Sequence, residues 1–128
     1  MQEDRHLPDA LEAVAREGVR FDAAHAHNVV TLPSHANMLP GRYPFEHGVR
    51  DNSGFRVPKD TQTLAGLLKP AGFRSAGFVS AFVLDERFGL ASGFDRWDSR
   101  VAGGEWSRGF VIPERPGSAT VAEAVRWL

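Results

Sequence analysis

The stretch TLPSHANMLPGRYPFEHGVRDN, Thr31 to Asn52, sets two histidines, three prolines, two glycines and two arginines around a single threonine. Its reading decides the fold. Thr31 follows HNVV, a strand-to-loop exit, and precedes Leu32-Pro33. Pro33 suits the first turn of a helix, because its missing N–H would have no partner there anyway. That helix is expected through SHANML, ending near Pro40-Gly41. The Thr31 hydroxyl would then stand at a helix N-terminus, where unpaired backbone N–H groups attract anions. Two roles stay open for it. It can cap the helix, or it can attack a bound phosphoryl or sulfuryl group.

On either side of this segment, helix and strand patterns alternate. In LPDALEAVAREG, Leu7, Leu11, Val14 and Ala15 share one helical face, with Pro8 early and Gly18 as the stop. VRFDAAHAH alternates Val19, Phe21 and Ala23 with Arg20, Asp22 and Ala24, which predicts a short strand. DTQTLAGLLKPAG is a second helix, capped by Thr61 or Asp60, clipped by Pro70 and stopped at Gly72. FRSAGFVSAFV is the next strand, apolar enough to be buried on both faces. From LDERFGLASGFDRWDS to PERPG the chain reads as irregular, with a flexible point at Gly103-Gly104. TVAEAVRWL opens a last helix, with Thr120 and Glu123 as a capping box.

Helix–strand–helix–strand order predicts an α/β fold with a mostly parallel sheet and flanking helices. Two or three strands leave sheet edges open and apolar helix faces uncovered. The expected unit is therefore part of a larger sheet, incomplete at both ends. Residues 1–128 would form one piece of a single domain, with 99–119 as an irregular loop region.

Composition narrows the chemistry. The chain has 128 residues, 42% of them apolar, so it can bury a core. Fifteen basic residues balance 16 acidic ones, leaving a net charge of −1 and no broad field for a nucleic-acid polymer or an anionic membrane. Any anion must be caught locally. Cysteine is absent, which excludes disulfides, thiolate chemistry and Cys-based zinc sites. No apolar run approaches the roughly 18 residues of a membrane span, and MQEDRHLPDA lacks the apolar core of a signal peptide.

The central stretch resembles the signature of the sulfatase branch of the alkaline phosphatase superfamily. That signature is Cys or Ser, any residue, Pro, Ser, Arg, a short helix, then Thr-Gly-Arg. Around it, EGVRFDAAHAH resembles the strand before the nucleophile, and RYPFEHGVRDN resembles the turn after it. TQTLAGLLKPAGFRSAGFVSAFVLDERFGLASGFD resembles the following helix, strand and GFD segment. The likeness runs from about Leu7 to Asp95. It implies a partial alkaline-phosphatase-like sandwich, present as the N-terminal piece of one catalytic domain and expected to be inactive alone.

Two departures qualify the implied chemistry. Sulfatases convert the Cys or Ser to formylglycine; Thr31 cannot give that aldehyde, because its β-carbon carries a methyl. The Arg after the motif Ser is His35 here. Both point toward relatives with an unmodified Thr, such as nucleotide phosphodiesterases and phosphoethanolamine or phosphoglycerol transferases. The resemblance then implies Thr31 as nucleophile and metal ligand. Asn52 would donate to the transferred group, and His35 and Arg42 would bind the anion. It also implies a pair of divalent ions, zinc for a Thr enzyme, with calcium or manganese as alternatives. Asp4 and His6 are poor ligands for them, so the remaining ligands are expected elsewhere. The expected partner is a small phosphate or sulfate ester. A head-group transferase and a non-catalytic binding module are the alternatives. Relatives are often periplasmic or membrane-linked.

Each of these side chains also has a plain structural reading. His35 can brace its loop, and His47 can fix the turn before Gly48 through a backbone bond. His25 and His27, at i and i+2 of the expected strand, share a face and are read as structural. Arg42 can pair with Glu46. Gly41 and Gly48 serve backbone shape, and Trp97, Trp106 and Trp127 read as core or edge aromatics.

Overall fold

A computed structural model of the chain describes residues 6–101 and 114–128. Five α-helices and two strands occur in them: α1 (His6–Glu17), α2 (Thr31–Met38), α3 (Pro44–His47), α4 (Leu64–Leu68), β1 (Ala76–Phe78), β2 (Arg96–Asp98) and α5 (Gly117–Trp127). The fold is α/β with a parallel sheet and flanking helices, as the element order predicts. β1 and β2 pair in parallel, Ala76 opposite Arg96, Gly77 opposite Trp97 and Phe78 opposite Asp98. Parallel neighbours need a crossover of a dozen or more residues. Here short 3-10 turns at Phe82–Leu84 and Glu86–Phe88 supply it.

The core forms behind α2. Leu32 and Ala36 are fully buried against Val49, Val57, Val83, Leu84 and Leu90. Burial along α2 follows the helical repeat. Leu32, Pro33, Ala36 and Asn37 face inward, while Thr31, Ser34, His35 and Met38 lie on the outer side. The packing that fixes α2 therefore turns Thr31 away from the core. α4 is tied to the end of α2 by the Leu64 N–H donating to the Leu39 carbonyl at 2.8 Å.

Several expectations need correction. Residues 19–27 form no strand. Among the described residues nothing pairs with them, and Val19 and Phe21 are both 78% exposed. An alternating pattern without a neighbouring strand has nowhere to place its backbone hydrogen bonds. The strand expected across FRSAGFVSAFV is confined to Ala76–Phe78 and is half-buried, because the chain turns into a 3-10 helix at Phe82. Conversely, Arg96–Asp98 lies in a segment read as irregular and is the paired strand. The charged residues of RWD hide it from a pattern search. α4 is capped by Thr63, whose hydroxyl accepts from the Gly66 N–H, and not by Thr61 or Asp60. Its last turn tightens to a 3-10 helix at Lys69–Ala71 and stops at Gly72, as Pro70 predicts.

α5 begins at Gly117, so Thr120 lies inside it and forms no capping box. Its hydroxyl instead meets Ser80 Oγ at 2.7 Å and accepts from Arg115 Nε at 2.9 Å. Of the loop expected over 99–119, residues 102–113 lie outside the described residues, and with them Gly103-Gly104 and Trp106. Asp98 at the end of β2 is 4% exposed and accepts from Arg100 and Arg115. The Arg100 hydrogen bond leads in holding its carboxyl well below the usual range, against the opposing effect of burial. Glu123 of α5 lies 3.1 Å from Arg100, so the cluster lashes α5 to the sheet.

Candidate functional site

Thr31 is the first helical residue of α2, and Val30 is the N-cap, with no side-chain cap bond. The capping role for Thr31 therefore falls away. Among the described residues its hydroxyl has no hydrogen-bond partner, and the residue is half-buried. The capping is done from a distance. Asn52 Oδ1 accepts from the Leu32 N–H at 2.8 Å, across 20 residues of chain. Asn28 Oδ1 accepts from the Val30 N–H at 3.0 Å and shapes the entry to the helix.

These bonds change how many donors the helix end offers. Leu32 has given its N–H to Asn52, Pro33 has none, and the Ser34 N–H donates to the Val30 carbonyl. The Thr31 N–H is what remains of the first turn. With its oxygen facing Leu32, Asn52 keeps both amide protons for another acceptor. Among the described residues Thr31 Oγ1, the Thr31 N–H and Asn52 Nδ2 are thus without hydrogen-bond partners at this end of α2. The positive end of the helix dipole adds to them.

His35 sits one turn further on. A carbonyl can only accept, so His35 Nδ1 donates to the Thr31 carbonyl, at 2.8 Å. The ring braces the turn that carries Thr31, and in its neutral form Nε2 keeps the lone pair. Arg42 lies beyond the other end of α2, roughly 12 Å along an eight-residue helix from Thr31. Hydrogen bonds bring Asn52 and His35 to the turn that carries Thr31, while Arg42 follows the C-terminal end of α2. Arg42 does not pair with Glu46: the Glu46 carboxylate accepts from the Tyr43 N–H at 2.7 Å, closing a capping box on α3.

The turn after α2 is fixed by two buried side chains. The Val49 N–H donates to His47 Nδ1 at 3.1 Å, so the proton is on Nε2, which donates to Asn37 Oδ1 at 2.7 Å. Burial lowers the His47 pKa, with Glu46 beside it working the other way. Gly48 follows with φ of 74°, which a side chain would strain. His47 thus fixes the turn through a backbone bond, as expected. Asn37 was missed as a structural residue. It reads as one more polar residue in a polar helix, and only its distance partner reveals it.

Among the described residues there is no group of three or more His, Asp or Glu side chains that would hold a metal ion. A two-ion centre needs several such ligands. The described residues do not fit one, and Thr31 alone does not supply it. Among them, too, no helix is long and apolar enough to cross a membrane.

Comparison with known proteins bears on this geometry. The sequence model of the family described as Sulfatase matches residues 2–110, which include Thr31, His35, Arg42 and Asn52. N-acetylglucosamine-6-O-sulfatase of Bacteroides thetaiotaomicron is 34% identical over 87 residues, covering 68% of this chain and 15% of that protein. N-acetylgalactosamine-6-sulfatase of Sus scrofa is 32% identical over 108 residues, covering 73% of this chain and 20% of the relative. A solved structure described as a complex with its substrate D-glucosamine-2-N,6-O-disulfate superimposes with a TM-score of 0.61 at 34% identity. The match covers 74% of this chain and 18% of that one. The chain spans a fifth or less of the length of these relatives.

Proposed function

The chain belongs to the sulfatase family, a family of hydrolases, and from that premise we propose that the whole protein cleaves a sulfate or phosphate ester through Thr31. The observation that carries this reading is the free Thr31 hydroxyl at the N-terminus of α2, with its expected capping work done by Asn52. Thr31 Oγ1 gives its proton to solvent and attacks the sulfur or phosphorus; the bond to the ester oxygen breaks, that oxygen takes a proton from solvent and leaves as the alcohol, and water later hydrolyses the group from Thr31, restoring its hydroxyl. Asn52 Nδ2 and the Thr31 N–H donate to the non-bridging oxygens, whose charge grows as the bond to Thr31 forms. His35, bonded to the Thr31 carbonyl, holds the turn in place.

The pair of divalent ions implied by the resemblance would lower the hydroxyl's pKa. The described residues do not hold such a pair. The relatives' names point to sulfated amino sugars as the substrate class. The methyl on Thr31, which bars the formylglycine route, points to phosphate. The two classes are separated by assay. In the whole protein, turnover of an aryl sulfate and an aryl phosphodiester is measured for wild type, Thr31→Ala and Thr31→Ser. We expect the Ala variant to lose nearly all turnover and the Ser variant to retain it. Full activity in Thr31→Ala would remove Thr31 from the reaction.

A second reading has its own support. Among the described residues Thr31 stands without a cluster of metal ligands beside it, and a binding module would need none. In that case neither ester is cleaved by any of the three proteins.

A further inference from the structure

The chain leaves α2 at its C-terminal end and returns to its N-terminus, fastened to the helix by three hydrogen bonds on the way. The Arg42 N–H donates to the Asn37 carbonyl at 3.1 Å, His47 Nε2 donates to Asn37 Oδ1 at 2.7 Å, and Asn52 Oδ1 accepts from the Leu32 N–H at 2.8 Å. Asn37 and Leu32 lie about 7.5 Å apart along the helix. Residues 48–51 alone bridge the second fastening and the third. Gly48, with φ of 74°, turns the chain, and Val49, 1% exposed, belongs to the same core as Leu32. Where this short turn begins therefore decides where Asn52 arrives.

It begins at a buried imidazole whose two nitrogens do opposite work. Nδ1 accepts from the Val49 N–H at 3.1 Å, while Nε2 donates to Asn37. One neutral tautomer satisfies both bonds. A proton on Nδ1 would remove the acceptor and set two N–H groups against each other, leaving a buried donor unsatisfied. The Val49 N–H must then turn away, three residues before Asn52. Burial holds the His47 pKa below its ordinary value, and Glu46 beside it on α3 opposes this. The charged residues on the flanking turns, Arg42, Arg50 and Asp51, are exposed. From α2 the ring meets uncharged Asn37; His35, the titratable residue of that helix, lies on its outer side and bonds the Thr31 carbonyl.

We propose that His47 is a positioning residue for the site at the N-terminus of α2: its neutral ring, held between Asn37 and Val49, sets the turn that brings Asn52 to Leu32. It acts through Asn52 and not on the reacting group. Its effect on turnover rests on the ester-cleaving reading; its link to Leu32 rests on the hydrogen bonds alone. Protonation of His47 loosens that link.

The test follows the Leu32 amide and the His47 ring of the chain by NMR as pH is lowered. The expected result is a Leu32 shift with the same midpoint as the ring. It disappears in His47→Asn, whose side-chain oxygen stands in for Nδ1 and does not titrate, and it persists in His35→Gln. Hydrogen exchange gives a second readout at neutral pH. In His47→Ala the Leu32 amide loses protection by about tenfold, His47→Asn recovers most of it, and the Val79 amide, bonded to Asp98 in the sheet, is unchanged. In the whole protein, His47→Ala lowers kcat by about tenfold with little change in KM, as befits a misplaced transition-state donor. A Leu32 amide that ignores the His47 titration, a Leu32 response that persists in His47→Asn, or equal loss of protection at Leu32 and Val79 would each overturn the proposal. Such a result would leave the reaction reading intact if Thr31→Ala still abolished ester cleavage. Conversely, activity retained in Thr31→Ala would sink that reading and leave the link from His47 to Leu32 standing.

Discussion

At the scale of single residues, Asn52 does two jobs with one amide. Its oxygen satisfies the Leu32 N–H, and its nitrogen, with no partner among the described residues, is the proposed donor to the transferred group. Asn52→Asp separates them. The carboxylate still accepts from Leu32 and suits a helix N-terminus, so thermal stability should hold. The lost N–H donor, replaced by negative charge, should lower turnover by about 100-fold or more in the whole protein. Equal losses in stability and activity would show that Asn52 only caps. His47 offers a pH-dependent counterpart. Its folded pKa is lowered by burial, so the unfolded chain takes up the proton first as pH falls. The stability it contributes is complete above the unfolded value of about 6.5 and is lost as pH drops toward the folded value. Denaturant midpoints measured through that window should decline in wild type. They should stay flatter in His47→Gln, which keeps a neutral donor for Asn37. The role of His47 was legible from its place before Gly48. The partnership with Asn37 was not, because a hydrogen bond ten residues apart leaves no periodic trace.

At the scale of elements, helices were legible, β1 was read too long, and β2 was not legible. α1, α2, α4 and α5 each carry an apolar repeat or a breaker that survives in isolation. β1 and β2 are three residues each, too short for alternation to register, and β2 is two-thirds charged. Val19–Phe21 alternates well and still forms no strand among the described residues, since a strand exists only with a partner. What holds the short elements together is close backbone approach, which sequence shows only as glycine. Gly93 has φ of 83°, and a Cβ there would lie 2.4 Å from the Gly66 nitrogen, backbone that cannot swing aside. Gly93→Ala should therefore destabilise the chain by about 2 kcal/mol or more, read from the urea midpoint. An unchanged midpoint would mean that α4 and the 89–95 loop do not touch as described.

At the scale of the molecule, the described residues carry a small core and exposed apolar helix faces. Leu11 and Val14 of α1, Leu64 and Leu67 of α4, and Val121 and Val125 of α5 are all more than half exposed. The expectation of uncovered helix faces follows from the strand count alone, and the structure agrees with it. What the sequence placed best was the N-terminal end of α2, because Pro33 and the turn chemistry after it fix that helix locally. Arg42, read as an anion-binding residue, follows the C-terminal end of the same helix. Ester cleavage through Thr31 requires a bond between its oxygen and the transferred group. The direct measurement is mass spectrometry of the Thr31 peptide from whole protein, acid-quenched during turnover of an aryl sulfate or phosphodiester. The account predicts a peptide heavier by one sulfuryl or phosphoryl group, localised to Thr31 and absent in Thr31→Ala. Rapid turnover in Thr31→Ala, with no adduct on Thr31 in the wild-type protein, would contradict it.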